Sequence, residues 1–175
     1  PPHRIECYDI SHTVGGETVA ACVVFGEAVA LKSDYRRFNI RTAEPGDDYA
    51  AIAEAVERRY TRVARGEAPI PDLVLIDGGA GQRSRAAAVL AGLELGDIPV
   101  VGVAKGPERR PGAERLVLAD GRELIPGPDS PALHLIQQVR DEAHRFAVAG
   151  HRQRRSRVRQ GSALDGIEGL GPARR

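Results

Sequence analysis

Two aspartates and one histidine are the residues of this sequence best placed to do chemistry. Asp9 sits in the middle of an apolar run, between Tyr8 and Ile10, and Asp77 closes the run Asp72–Asp77 (DLVLID) just before Gly78-Gly79. A carboxylate among such neighbours is costly to bury unless it is paired or binds a cation. Ligand sites of open α/β sheets lie outside the carboxyl ends of the strands. Either aspartate alone reads as a turn or capping residue. Both together, at the apolar strands best suited to the middle of a sheet, point to a divalent-metal site.

A third ligand is expected from the last long helix. At 100° per residue, Leu135, Val139, Ala143 and Phe146 make one apolar face, and His144 falls opposite Leu135, near Gln137, Arg140 and Asp141. A lone histidine there reads as structural or exposed. Beside arginines, on an element able to face Asp9 and Asp77, it becomes a ligand or proton carrier. Hydrolysis of a phosphodiester needs an activated water and a stabilised leaving oxygen, and Mg²⁺ or Mn²⁺ held by carboxylates supplies both. No rival nucleophile motif is present: GxSxG is missing and no Cys–His pair is evident. Gly78-Gly79-Ala80-Gly81-Gln82 resembles a phosphate loop but lacks the Lys-Ser/Thr of a P-loop and the spacing of GxGxxG. Its glycines are expected to let backbone pass close to the metal centre.

The elements that must position these residues follow from pattern. Ile5–Ser11, Thr18–Phe25 and Ala28 to about Asn39 read as three strands joined by short glycine-containing turns, an antiparallel meander. A helix follows Pro45-Gly46-Asp47, with Asp47 as N-cap and Tyr49, Ile52, Ala53, Val56, Tyr60 and Val63 at helical spacing. Asp72–Asp77 and Pro99–Ala104 read as buried strands, with a helix over Gln82–Leu93 between them. Asp120-Gly121 marks a hairpin within Arg115–Ile125, and Ser130-Pro131 opens a helix to about Gly150. The order predicts an α/β fold with a mixed five-stranded sheet flanked by helices and a small extra hairpin. The strand of Asp9 should lie beside and parallel to that of Asp77.

With hydrophobic residues at 42% and aromatics at 4%, the core must be built from Val, Ile, Leu and Ala. No run approaches the ~20 apolar residues of a membrane span, and the N-terminus is not a signal peptide, so a cytoplasmic protein is expected. Methionine is absent and the chain opens Pro1-Pro2, as expected for a piece of a longer protein. Cys7 and Cys22 lie in strand-like runs and read as buried free thiols. The net charge of +1 hides a basic stripe: Arg140 to Arg159 holds seven arginines against Asp141 and Glu142. A charge run is ordinarily a solvated tail, but this one follows the helix of His144. Arg140, Arg145, Arg152, Arg154 and Arg155, with Arg36, Arg37 and Lys105, are therefore expected to line a path for a nucleic-acid backbone.

Five ordered blocks carry a family resemblance. Cys7-Tyr8-Asp9-Ile10-Ser11-His12-Thr13, Asp34-Tyr35-Arg36-Arg37-Phe38, Asp47-Asp48-Tyr49, Leu75-Ile76-Asp77-Gly78-Gly79 and Arg140-Asp141-Glu142-Ala143-His144-Arg145-Phe146-Ala147 resemble the UvrC family, over Ile5 to about Arg159. The resemblance implies an RNase H-like fold and the nuclease of nucleotide excision repair that incises damaged double-stranded DNA on the 5′ side of a lesion. It also implies a divalent-metal triad at Asp9, Asp77 and His144 and UvrB as partner, through segments absent from this chain. Asp48, the second acid of the Asp47-Asp48-Tyr49 block, is a further candidate, although a carboxylate in a first helical turn is favoured by the helix dipole anyway.

Two features depart from or truncate the pattern. Ala80 stands where the family commonly has Lys or a related residue, which speaks against a direct phosphate contact there. Ile167-Glu168-Gly169-Leu170-Gly171 is similar to the start of a helix-hairpin-helix module, so residues 1–158 are expected to form the nuclease domain and 159–175 a linker and truncated hairpin. The rival readings are an endonuclease V-like or Argonaute-like nuclease, and a catalytically silent nucleic-acid-binding module.

Overall fold

Strand alternation organises the molecule around β1 (Arg4–His12). Successive side chains of a strand point to opposite faces, and those of β1 meet different helices. Glu6 and Tyr8 face α1 (Asp48–Ala64), meeting Arg59 and Tyr60, whereas Asp9 and Ser11 face α3 (Pro131–Asp165), meeting His144 and His151. The structure, a computed structural model, describes residues 2–110 and 112–165.

The sheet has the order β3-β2-β1-β5-β6-β7-β8, and β4 also pairs with β2. β2 (Thr18–Gly26) runs antiparallel to β1, while β5 (Leu73–Asp77) and β6 (Val100–Ala104) run parallel to it. α1 packs against α2 (Ala80–Gly92), which touches β6, and α3 lies across β1 and β2. Val, Ile, Leu and Ala from these elements fill the core, and Cys7 and Cys22 are buried free thiols. Asp47 caps α1 by accepting from Ala50 N at 3.0 Å, and Ser130 Oγ lies 3.4 Å from Leu133 N at the start of α3.

Four sequence expectations change. The third strand is not continuous: β3 (Val29–Ala30) and β4 (Arg36–Asn39) are separated by a 3₁₀ turn at Lys32–Asp34. Asp34 is held there by Arg4 at 2.7 Å. The β2–β3 turn falls on Glu27 and Ala28, whose φ values of 51° and 66° fit the two-residue hairpin that pairs Gly26 with Val29. Second, the hairpin β7 (Arg115–Val117) and β8 (Glu123–Leu124) is not an appendage. β7 pairs with β6, so the edge of β6 is covered and one eight-stranded sheet results, rather than five strands plus a hairpin.

Third, α3 does not stop at Gly150 but continues to Asp165. A Cβ at Gly150 would overlap the Arg37 guanidinium, so this glycine permits a close approach and is not a stop signal. The arginines after it are good helix formers. The helix passes without interruption through positions 158 and 159, and the Gly169-Leu170-Gly171 motif lies outside the described residues. Fourth, the buried seam of α3 is Leu133, Ile136, Val139, Ala143 and Ala147, with Leu135 and Phe146 only partly buried. On a 100° wheel this puts His144 and Arg140 at the margin of the seam and not opposite it. That margin faces the sheet.

Candidate active site

β1 and β5 pair in parallel with Ile5 opposite Leu73, Cys7 opposite Leu75 and Tyr8 opposite Ile76. One step further along each strand brings Asp9 beside Asp77. Residues in register on neighbouring parallel strands share a face, so both carboxylates leave the sheet on the side of α3. Adjacent strands lie about 4.8 Å apart. Asp9 is 7% exposed, and its Oδ2 lies 3.3 Å from His144 Nδ1. Asp9, Asp77, Gly78, Gly79, Lys105 and His144 line one open cavity of about 620 Å³, together with His12.

The electrostatics of the pair are unfavourable in the absence of a cation. Burial, and then the charge of Asp77, push the Asp9 carboxyl up to about 6, against the pull of His144 and Lys105. Burial also raises Asp77, opposed by Arg140, Lys105 and His144. Arg140 is held by Glu114 at 3.2 Å through Nη2, while its Nη1 is buried with no partner. Two hard carboxylates, an imidazole and a spare guanidinium donor are a fitting set for a divalent cation and a phosphate. Among the described residues, no three His, Cys, Asp or Glu side chains are close enough together to enclose an ion. Asp9, Asp77 and His144 flank the cavity without closing on one point.

Asp48 stands apart from the two other aspartates. It opens α1, and its Oδ1 lies 2.8 Å from Nε2 of His12, whose Nδ1 is 3.2 Å from Thr18 Oγ1. His12 was not among the expected site residues, although it lies in the same block as Asp9. Sequence reasoning passed over it because it ends the strand where alternation no longer predicts a face. Ser11 Oγ, 2.9 Å from His151 Nε2, was likewise not foreseen.

The expected cationic path divides into three groups. Lys105 and Arg140 are at the cavity or beside Asp77. Arg152, Arg154 and Arg155 lie further along α3, around a second groove. Arg36, Arg37 and Arg145 are engaged elsewhere. Arg36 donates to the carbonyls of Ser33 and Tyr35, Arg37 stacks 3.7 Å from the Phe146 ring centroid, and both donors of Arg145 meet Glu142 at 2.7 Å. The glycines of the Gly78–Gln82 segment also have another reason. A Cβ at Gly78 would overlap Gln82, whose Oε1 accepts from Gly79 N at 3.0 Å, and a Cβ at Gly81 would overlap Tyr49 of α1. Gly81 thus seats α2 against α1, while Gly78 and Gly79 also line the cavity of the carboxylates.

A mixed sheet with one acid inside its central strand and another at the end of the parallel neighbour, and a histidine delivered by the last helix, is the layout of an RNase H-like nuclease domain. The UvrC RNase H endonuclease domain family matches residues 1–148. The chain belongs to that family. It is 64% identical over 176 residues to UvrABC system protein C of Alkalilimnicola ehrlichii and 58% identical over 175 residues to that of Xanthomonas axonopodis pv. citri. Those alignments cover 99% and 100% of this chain, which spans 29% and 28% of the two relatives' lengths. Among solved structures, endonuclease V of Ciona intestinalis in complex with inosine-containing DNA aligns with a TM-score of 0.44 and 19% identity, covering 60% of this chain and 46% of that one. Argonaute of Marinitoga piezophila aligns at a TM-score of 0.36 and 13% identity, covering 58% and 16%. No helix among the described residues is long and apolar enough to cross a membrane.

Proposed function

We propose that this chain is the phosphodiester-cutting domain of a metal-dependent DNA endonuclease, which makes the 5′-side incision beside a lesion in the cytoplasmic UvrABC system. The observation that carries this reading is the in-register pairing of β1 and β5, which aims Asp9 and Asp77 into one cavity that His144 also lines. Damaged double-stranded DNA is the substrate. UvrB is the partner, met through parts of the protein outside this chain. Residues 1–158 act as the nuclease domain, and 159–175 lead into a helix-hairpin-helix module.

Asp9, Asp77 and His144 would hold Mg²⁺ or Mn²⁺. Bound there, the ion supplies an activated water and stabilises the departing oxygen. The chain's own residues do the rest. Lys105, which lines the cavity, grips a non-bridging oxygen of the scissile phosphate, and the Arg140 guanidinium adds positive charge beside Asp77. His144 has its Nδ1 3.3 Å from Asp9 Oδ2, which leaves Nε2 as the nitrogen it can turn to the ion. The buried Cys7, two residues before Asp9 on the same face of β1, keeps that side of the site apolar.

A nicking assay on damaged duplex with the partner proteins, in Mg²⁺ or Mn²⁺ and then with EDTA, tests the reading. Cutting that EDTA abolishes is the expected result. Binding without cutting in every metal would leave a silent DNA-binding module, and cutting in EDTA would remove the metal.

A further inference from the structure

One cavity bordered by α3 is larger than that of the carboxylates and does not contain them. A groove of about 920 Å³ runs between the turn that joins β1 to β2 and the segment of α3 beyond Gly150. His12 lines both this groove and the cavity of Asp9 and Asp77, so the two adjoin there. Two bonds fix the groove's walls to each other. Ser11 Oγ meets His151 Nε2 at 2.9 Å, and Arg154 meets Glu17 at 3.1 Å while also bonding the side chain of Asn39. The turn itself is closed by Thr13 N on Glu17 O at 2.8 Å.

The groove's chemistry is one-sided. Arg152, Arg155 and Arg159 line it, and no ion pair holds any of the three among the described residues. Its one acid, Glu17, is engaged by Arg154. Like charges at helical spacings of three and four repel, so this edge of α3 is stabilised by whatever polyanion neutralises it. Two of the three valines in its lining are well exposed: Val14, 86% exposed at the tip of the turn, and Val158, 72% exposed on α3. Guanidiniums beside exposed apolar side chains suit a strand that presents phosphates beside sugar or base faces. The distance suits a strand already engaged at the carboxylates. From His144 to Arg155 the helix rises about 16 Å, roughly five stacked steps of duplex.

We infer that this groove is a second subsite for the strand being cut, holding its sugar-phosphate backbone several nucleotides from the scissile bond through Arg152, Arg155 and Arg159, with Val14 and Val158 against its apolar faces. The inference rests on the reading that the carboxylate centre cuts DNA. It narrows the cationic path expected from sequence: Arg154 braces the groove, and Arg36, Arg37 and Arg145 take no part.

The test is a length series crossed with a double substitution. The intact protein and its Arg152→Ala/Arg155→Ala form are compared on duplexes shortened stepwise on one side of the cut and then on the other. Binding is measured without divalent metal, and nicking with it. Wild type should lose about tenfold in affinity once one arm no longer reaches the groove, with a salt slope shallower by about 2. The variant should show that loss on long duplexes and none further on short ones. An equal loss by the variant at every length would overturn the subsite, as would full retention on long duplexes. Retained DNA binding with lost binding of a protein partner would make the groove an acidic-protein surface and end the proposal. If wild type nicks nothing, the catalytic reading fails, while the metal-free binding series still decides the groove. Unchanged melting of the variant checks its fold, since both arginines are exposed.

Discussion

Glu6 and Asp9 are buried acids three residues apart on one strand, and they live in opposite circumstances. Glu6, fully buried, accepts from Tyr60 Oη at 2.6 Å, from Arg59 at 2.8 and 3.3 Å and from Arg4 at 3.3 Å. Both of its oxygens are taken by donors, two of them cationic. Asp9, on the other face, has His144 at 3.3 Å and a second carboxylate at Asp77 pressing against it. A completed network marks an acid that holds α1 to the sheet. An under-matched acid beside another, open to a cavity, marks one whose partner comes from outside the chain.

The contrast breaks first at catalysis. Asp9→Ala and Asp77→Ala should each lower incision at least ~10³-fold while folding normally, since a loss of that size corresponds to about 4 kcal/mol of barrier. Nicking assays beside thermal melts read both quantities. Loss of activity only through unfolding would put Asp9 in the same class as Glu6. The mirror experiment is Glu6→Ala, which leaves Arg59 buried and uncompensated. It should cost about 3–5 kcal/mol in denaturant unfolding, with activity falling only as the folded fraction falls.

His144→Ala comes next. Its side chain is 70% exposed and lies outside the buried seam of α3, so incision should fall severely with melting almost unmoved. Cutting at the wild-type rate would make the histidine structural.

The smallest effect is one of stability against pH. With its folded pKa raised from 3.8 to about 6, Asp9 binds its proton more tightly in the folded protein than in the unfolded chain. The contribution of Asp9 to metal-free stability should therefore be full below about pH 4, fall away as pH rises towards 6, and stay lost above it. Asp9→Asn should remove most of that fall and stabilise the metal-free protein at pH 7.5 by on the order of 2 kcal/mol. A stability gain of Asp9→Asn over wild type that shrinks from pH 4 to pH 6 in EDTA would reverse the sign and contradict the crowding of Asp9 by Asp77.

Asp9 and Asp77 were legible in the sequence because apolar strands make an acid conspicuous, and His144 because arginines crowd it on a helix. Glu6 was not, since an acid at an alternate strand position reads as facing water. Its burial depends on Arg59 and Tyr60, more than fifty residues away. The same reasoning hid the continuation of α3. Gly150 looks like a stop when seen alone, and only the approach of Arg37 from β4 shows why glycine stands there. The cations were the least legible part. Composition locates arginines, but whether each meets a carboxylate, an aromatic ring or a cavity is settled by elements distant in sequence.

The pairing of β1 with β5 also makes the site a matter of parity. Asp9 and Asp77 meet because each lies the same even number of steps along its strand from the paired positions Ile5 and Leu73. Removing one residue from either stretch does not shift a carboxylate by a single notch. It turns the acid through the sheet to the side of Tyr60, where α1 leaves it no cavity. Within these two strands, changes of identity can be tried one at a time in the history of the gene, whereas changes of length preserve the site only in pairs.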